Sequence, residues 1–178
     1  MTPYTLLILL VALERLAELA VARRHAVWSR ARGGVEYGAG HYPVMVALHT
    51  GLLVGCLAET GLLHRPFVPG LGRPALAAAL LAQALRWWCI TSLGPRWNTR
   101  VIVVPGLPLV RSGPYRWLHH PNYLAVILEG VSLPLVHGNW ITATVFTALN
   151  APLLVTRLRC ENAALATVGA TATARVAA

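Results

Sequence analysis

Eleven residues, Gly113-Pro-Tyr-Arg-Trp-Leu-His-His-Pro-Asn-Tyr123, bring two prolines, an arginine, two histidines, two tyrosines and an amide to the edge of an apolar run that carries Glu129. Asn122 and Glu129 are seven apart, so they share one face of a helix. A second set, Asn150, Arg157 and Glu161, recurs at spacings of seven and four in the last apolar run and forms a polar stripe there. If the two runs are neighbours, the stripes can converge. Polar groups at membrane depth are expensive, so they face protein or water and tend to mark function. Arg157 and Glu161 alone also fit an ordinary i,i+4 ion pair. Beside the stretch from Pro114 to Tyr123, the whole reads as the wall of a cofactor pocket.

These side chains must be positioned by an integral membrane protein. The chain is 56% hydrophobic and 12% charged, with a mean hydropathy of +0.59, whereas a soluble domain carries about 25% charged residues. A spanning helix needs roughly 20 mostly apolar residues, and five spans are predicted, over residues 4–22, 43–63, 74–93, 121–136 and 140–158. The net charge of +9 does not point to nucleic acid. All fifteen basic residues are arginines, and most lie in the connections between apolar runs, which suits the positive-inside rule better than a phosphate-binding face.

Arg23, Arg24, Arg30 and Arg32 fill the first connection and Arg96, Arg100, Arg111 and Arg116 the third, while the second has only Arg65 and Arg73. The alternation predicts an N-terminus outside and a C-terminus in the cytoplasm. The Arg-, Ala- and Gly-rich composition suggests a bacterial cytoplasmic membrane. Ala20-Val-Ala22 looks like a signal-peptidase site, but there is no basic n-region and Glu14, Arg15 and Glu18 interrupt the run, so the first segment is read as a retained helix.

The expected fold is all-α: about five transmembrane helices in a single domain, 1–178, with N-terminal helices over 1–93, a cofactor-binding part over 94–165 and a frayed Ala/Thr-rich tail over 166–178. Before the fourth helix, Val101-Ile-Val-Val104 and Leu109-Val110 flank Pro105-Gly-Leu-Pro108 and read as a small β-hairpin, a lid on the cytoplasmic interface. Pro121 suits the first turn of helix four, which places His119 and His120 at its positive end. His137-Gly-Asn139 should turn helix four antiparallel onto helix five.

Gly113-Pro-Tyr-Arg116, His120-Pro-Asn-Tyr123, Glu129 and Arg157-x-x-x-Glu161 together resemble the isoprenylcysteine carboxyl methyltransferase-like family of integral membrane methyltransferases. Arg86-Trp-Trp88, Leu93-Gly-Pro-Arg-Trp97, Val104-Pro-Gly-Leu-Pro108, Glu14-Arg-x-x-Glu-Leu19 and His41-Tyr-Pro43 look like a bacterial branch of it. The chain departs from the family pattern at Glu161-Asn162, where Glu-Glu is usual, and lacks the usual Tyr- and Arg-bearing tail.

The resemblance implies an S-adenosylmethionine-dependent O-methyltransferase, with the cofactor arriving from the cytoplasm and a lipophilic acceptor from the bilayer. The implied cofactor-binding residues are Gly113, Tyr115, Arg116, His120, Pro121, Asn122, Tyr123 and Glu161; Arg157, Glu129 and His119 are the catalytic candidates. Glu161 and Asn122 suit an ammonium and ribose hydroxyls, and Arg116 or Arg157 a carboxylate. Tyrosine faces attract a sulfonium cation by ~1–2 kcal/mol when dry. A carboxylate acceptor needs no base, whereas a phenol, with a pKa of about 10, does. His119, His120 or Glu129 can serve, with Arg157 on the oxyanion. The bacterial branch is associated with lipophilic polyketides such as alkylpyrones and alkylresorcinols, which favours an enol or phenol oxygen.

Two other functions stay open. Membrane sterol reductases resemble the same Arg-x-x-His-Pro-Asn-Tyr pattern and use NADPH, but end in a segment missing here. A small transporter or scaffold would predict broken spans near mid-membrane. The remaining polar residues read as structure. Glu14, Glu18 and His25, with Arg15 beside them, should tie helix one to Gln83 or Arg86 of helix three. Cys56, Cys89 and Cys160 have neither disulfide nor metal spacing, and His41, His49 and His64 lie at different heights. Gly51-x-x-x-Gly55 is a small-residue face for packing within the chain or in a homodimer. Trp97 and Trp117 are interface anchors placed to line an acceptor's path.

Overall fold

A computed structural model describes the chain over residues 2–176, with side chains over 2–166. The expected frayed tail, 166–178, lies almost wholly outside the described side chains. Five helices dominate: α1 (Pro3–Arg30), α2 (Tyr42–Leu63), α3 (Pro69–Leu93), α4 (Pro121–Leu135) and α5 (Trp140–Val176). Each of the first four starts with a proline at N1 or N2, where the missing N–H has no partner to lose. Thr2 caps α1, its hydroxyl accepting from the Thr5 amide at 3.1 Å. α3 begins five residues before the predicted span because Pro69, not Pro74, opens it. Pro74 falls in the second turn and forfeits only one helical hydrogen bond.

α2, α3 and α5 are long and apolar enough to cross a membrane. α4 has 15 residues, about 22 Å at 1.5 Å each, short of a hydrocarbon core of about 30 Å. α1 is interrupted by Glu14, Arg15 and Glu18. The exterior is greasy: Leu13 and Leu16 of α1, Leu62 of α2, Leu81 of α3 and Leu149 of α5 are all exposed, while Glu18, Arg86, Glu129 and Arg157 are buried. That inversion is the arrangement lipid imposes on charge.

At one end of the bundle, Tyr4, Ile8, Leu52, Cys56, Leu133 and Phe146 form an apolar core. The turn between α4 and α5 forms as expected, with Gly138 at φ +69°. The fully buried Asn139 amide ties that turn to α1 and α2, donating to Tyr4 Oη (3.2 Å), the Cys56 carbonyl (3.0 Å) and Thr60 Oγ1 (2.8 Å). Cys56, Cys89 and Cys160 are free thiols, the first two buried. Gly55 packs on α5, where an added Cβ would lie 3.0 Å from Thr142 Cγ2; Gly51 faces open space.

The opposite end departs from the expected hairpin. Val101–Val103 does form a strand (β2), but it pairs antiparallel with β1 (Val35–Tyr37) from the first connection, in the register Val35↔Val103, Glu36↔Ile102 and Tyr37↔Val101. Leu109 and Val110 form no strand. Pro105 and Gly106 make the predicted turn, Gly106 at φ +82°, but the chain beyond it is held elsewhere: Arg96 Nη1 donates to the Pro108 carbonyl at 2.5 Å. Glu36 secures the two-stranded sheet, accepting from Arg100 Nη1 (2.6 Å) and Arg30 Nη2 (3.0 Å). Partial burial opposes ionisation there, but those two guanidiniums hold the Glu36 carboxyl below its ordinary range.

Candidate active site

A cavity of about 800 Å3 lies at this end, within the ~300–1,000 Å3 typical of ligand pockets. Its walls come from β2 and the following segment, the 3-10 turn Gly113–Arg116, the start of α4 and the second half of α5. The sequence dictates that convergence locally. Pro121 at N1 begins α4 immediately after the two histidines, and Gly113, at φ +58°, lets the preceding turn pack on α3. A Cβ there would lie 2.0 Å from Ser92 Oγ and 3.1 Å from Trp88 Nε1.

Within the cavity, α4 and α5 are joined by four side chains. Tyr123 Oη donates a short hydrogen bond to Glu161. His120 approaches the same carboxylate, Nδ1 to Oε1 at 3.6 Å, while its Nε2 donates to Asn162 Oδ1 at 2.9 Å. Its ring centre lies 5.6 Å from that of Tyr123. The hydrogen bond with Glu161 raises the His120 pKa above its usual value, against the opposing effect of burial. Tyr115 is pushed above the ordinary phenol range by burial, so it remains a donor at neutral pH.

Arg157 and Glu161 do not close on each other as a helical ion pair among the described contacts. Arg157 Nη1 instead donates to Met45 Sδ of α2 and Nη2 to the Thr99 carbonyl, both at 2.9 Å. Its Nε has no partner, and neither has Asn122 Oδ1, although both atoms are buried. A buried polar group without a partner costs roughly 1–3 kcal/mol, and both residues line the cavity. These orphaned atoms fit a ligand that brings both acceptor and donor groups.

The structure brings together eight of the eleven expected site residues as cavity lining: Tyr115, Arg116, His119, His120, Asn122, Tyr123, Arg157 and Glu161. Gly113 and Pro121 act behind the wall, one as a turn and the other as a helix start. Glu129 must be corrected. It shares a face with Asn122, but seven residues further on is about 10 Å deeper along the helix. There it is buried in an ion cluster, bonded by Arg86 Nη2 and 3.1 Å from Arg15 Nη2. The same cluster contains the expected ties between α1 and α3, with Arg15 Nη2 donating to Gln83 Oε1 at 2.7 Å, Arg86 Nε 3.5 Å from Glu18 and Gln83 Nε2 donating to Glu14 at 2.5 Å. Asn150 is also buried and off the cavity.

Three contributions escaped the sequence reading. Met45 and the Thr99 carbonyl hold Arg157, and no residue-type signal marks a thioether or a main-chain oxygen. Asn162 stood out only as a departure, yet it fixes the second nitrogen of His120. Trp97 and Trp117 do line the cavity; the Trp97 carbonyl is bonded to His25 Nδ1 at 2.9 Å.

The fold and site define an integral membrane protein with a ligand cavity at one end of its helices, polar on the α4–α5 side and apolar along β2. The family model of the isoprenylcysteine carboxyl methyltransferase (ICMT) family matches residues 75–167, and the chain belongs to that family of membrane methyltransferases. Two similar proteins extend the likeness over the N-terminal helices as well. The uncharacterized protein YpbQ of Bacillus subtilis (strain 168) is 39% identical over 91% of this chain and 96% of its own length. An uncharacterized protein of Haemophilus influenzae (strain ATCC 51907 / DSM 11121 / KW20 / Rd) is 24% identical over 85% of this chain and 88% of its own.

Proposed function

We propose that this chain is an S-adenosylmethionine-dependent O-methyltransferase of the cytoplasmic membrane, acting on an enol or phenol oxygen of a long-chain lipid. The observation that carries the reading is the two-sided cavity. Its polar side has Glu161, Asn122 and Arg157, which complement an ammonium, hydroxyls and an anionic oxygen. Its apolar side, Val101 to Val104 with Leu107, suits an alkyl chain. Bound there, the cofactor supplies an electrophilic methyl group on a sulfonium centre.

The chain's own part is to bind, orient and exclude water. Tyr123 and His120 lock the Glu161 carboxylate in place, so that it meets a cation already desolvated and fixed. The faces of Tyr115 and Tyr123 add cation–π attraction. Arg157, held by Met45 and Thr99, presents its free Nε–H to an acceptor oxygen and stabilises it as the oxyanion. With Glu129 occupied by Arg86, the proton of a phenolic acceptor falls to His119 at the cavity edge. Holding the acceptor oxygen in line and dry accounts for most of the acceleration expected.

Calorimetry on the detergent-purified chain tests this, with S-adenosylhomocysteine and NADPH titrated separately. Binding of the first alone is expected. Binding of NADPH alone would make the cavity a reductase site and end the methyltransferase reading. Methyl incorporation into an alkylresorcinol but not into an isoprenylcysteine analogue then decides the acceptor.

A further inference from the structure

The segment 105–119 has two unlike faces. Leu107, Val110 and Tyr115 line the cavity half-buried. Leu109, Trp117 and Leu118, at the cavity mouth, are 59%, 66% and 42% exposed. Trp88 of α3, 46% exposed, has its ring centre 5.9 Å from that of Trp117. The apolar rim of the mouth therefore runs without a break onto the outer surface of a spanning helix. Exposed apolar patches of this kind mark interaction or membrane sites, and tryptophan settles at headgroup level.

Charge identifies what the rim meets. Five arginines line the cavity and its mouth against one glutamate. Arg100 is engaged by Glu36, Arg157 by Met45 and Thr99, and Arg96 by the Pro108 carbonyl. Arg111 and Arg116 stay exposed beside the apolar rim, the Arg116 guanidinium 5.9 Å from the Trp117 ring centre. An arginine near an anionic lipid surface favours its approach by about fivefold, so two give about 25-fold.

We propose that the cavity mouth docks on anionic lipid: Leu109, Trp117 and Leu118 sink to the headgroup boundary and Arg111 and Arg116 hold lipid phosphates, so that this side of the mouth meets the bilayer. This gives the lipophilic acceptor of the proposed reaction its route, while the docking itself requires no methyl transfer.

The test uses the full chain in nanodiscs of phosphatidylcholine alone or mixed with phosphatidylglycerol, with brominated acyl chains. Tryptophan emission of the wild type minus that of Trp117→Phe isolates Trp117. Bromine should quench it and aqueous acrylamide should not, with a stronger bromine effect in the anionic discs. An Arg111→Gln/Arg116→Gln double variant should lose that anionic gain. Acrylamide quenching without bromine quenching overturns the docking, and equal bromine quenching in both lipids overturns the anionic recognition. Hydrogen exchange over residues 105–119 of the wild type reads the same event should Trp117→Phe not fold; slowing by phosphatidylglycerol supports docking and unchanged exchange refutes it. S-adenosylhomocysteine affinity in the same discs fails only with the methyltransferase reading.

Discussion

Glu129→Gln separates catalysis from architecture at the residue where sequence and structure part most sharply. The substitution keeps volume but removes the charge that Arg86 bonds and that Arg15 approaches at 3.1 Å. Breaking a buried ion pair by removing one partner costs ~3–5 kcal/mol. Glu18 remains 3.5 Å from Arg86 Nε and 2.6 Å from Arg15 Nη1, so the lower figure, about 3 kcal/mol, is expected. At ~2–4 °C per kcal/mol for a chain of this size, the melting temperature should fall by about 6–12 °C. The chain carries its own reporter once Cys160, free and half-buried, is replaced by serine, since Cys56 and Cys89 are free and buried and react with a thiol-specific fluorophore only on unfolding. Affinity for S-adenosylhomocysteine per folded molecule should not change, because Glu129 does not line the cavity. An unaltered melting temperature combined with lost methyl transfer would refute the assignment and restore Glu129 to the chemistry.

Glu161→Ala and His120→Ala each remove charge-assisted contacts worth ~1.5–3 kcal/mol, so S-adenosylhomocysteine should bind about 10–150-fold more weakly by calorimetry; normal affinity in both would move the cofactor elsewhere. The His120 pKa is raised by its hydrogen bond with Glu161. Its contribution to stability is therefore complete below the unfolded value of about 6.5 and is lost as pH rises through the folded value. The melting difference between wild type and His120→Gln should shrink with rising pH, and growth instead would refute the pairing. At the other end, Glu59 accepts from the amides of Ile141 (3.3 Å) and Thr142 (2.7 Å) and from Thr142 Oγ1 (2.8 Å), capping α5 from α2. Glu59→Ala should cost ~1–2 kcal/mol, about 2–8 °C of melting temperature, with cofactor affinity untouched.

What could be read in advance follows from what periodicity measures. Spacing assigns residues to faces, and Asn122, Arg157 and Glu161 line one cavity. It does not assign depth, and Glu129, on the same face as Asn122, lies about two turns from the cavity. Hydropathy marks where lipid ends, not where a helix ends: α1 continues past Arg23 and Arg24 to Arg30, beyond the predicted span. The hairpin failed for another reason. A β-type run needs a partner edge, and Val35-Glu-Tyr37, three residues between glycine-bearing turns, offered one too short to stand out. Its alternation and its flanking Gly33-Gly34 and Gly38 were the available signals.

That strand pairing also decides which part of the chain builds the cavity. The family segment, 75–167, holds the polar cluster and β2, but it does not hold what fixes them. β2 has its edge satisfied by β1, and Arg100 is held by Glu36 and stacks 4.1 Å from the Tyr42 ring centre. Arg157 reaches back to Met45. Asn98 Nδ2 donates to the Ala22 carbonyl at 3.1 Å, and Arg86 has Glu18 as its second acidic partner. Without α1 and α2, the apolar wall of the cavity would be an unpaired strand, and Arg157 would lose a contact that aims its free nitrogen. The first half of the chain is thus part of the site by support, and the site's geometry cannot be a property of the second half alone.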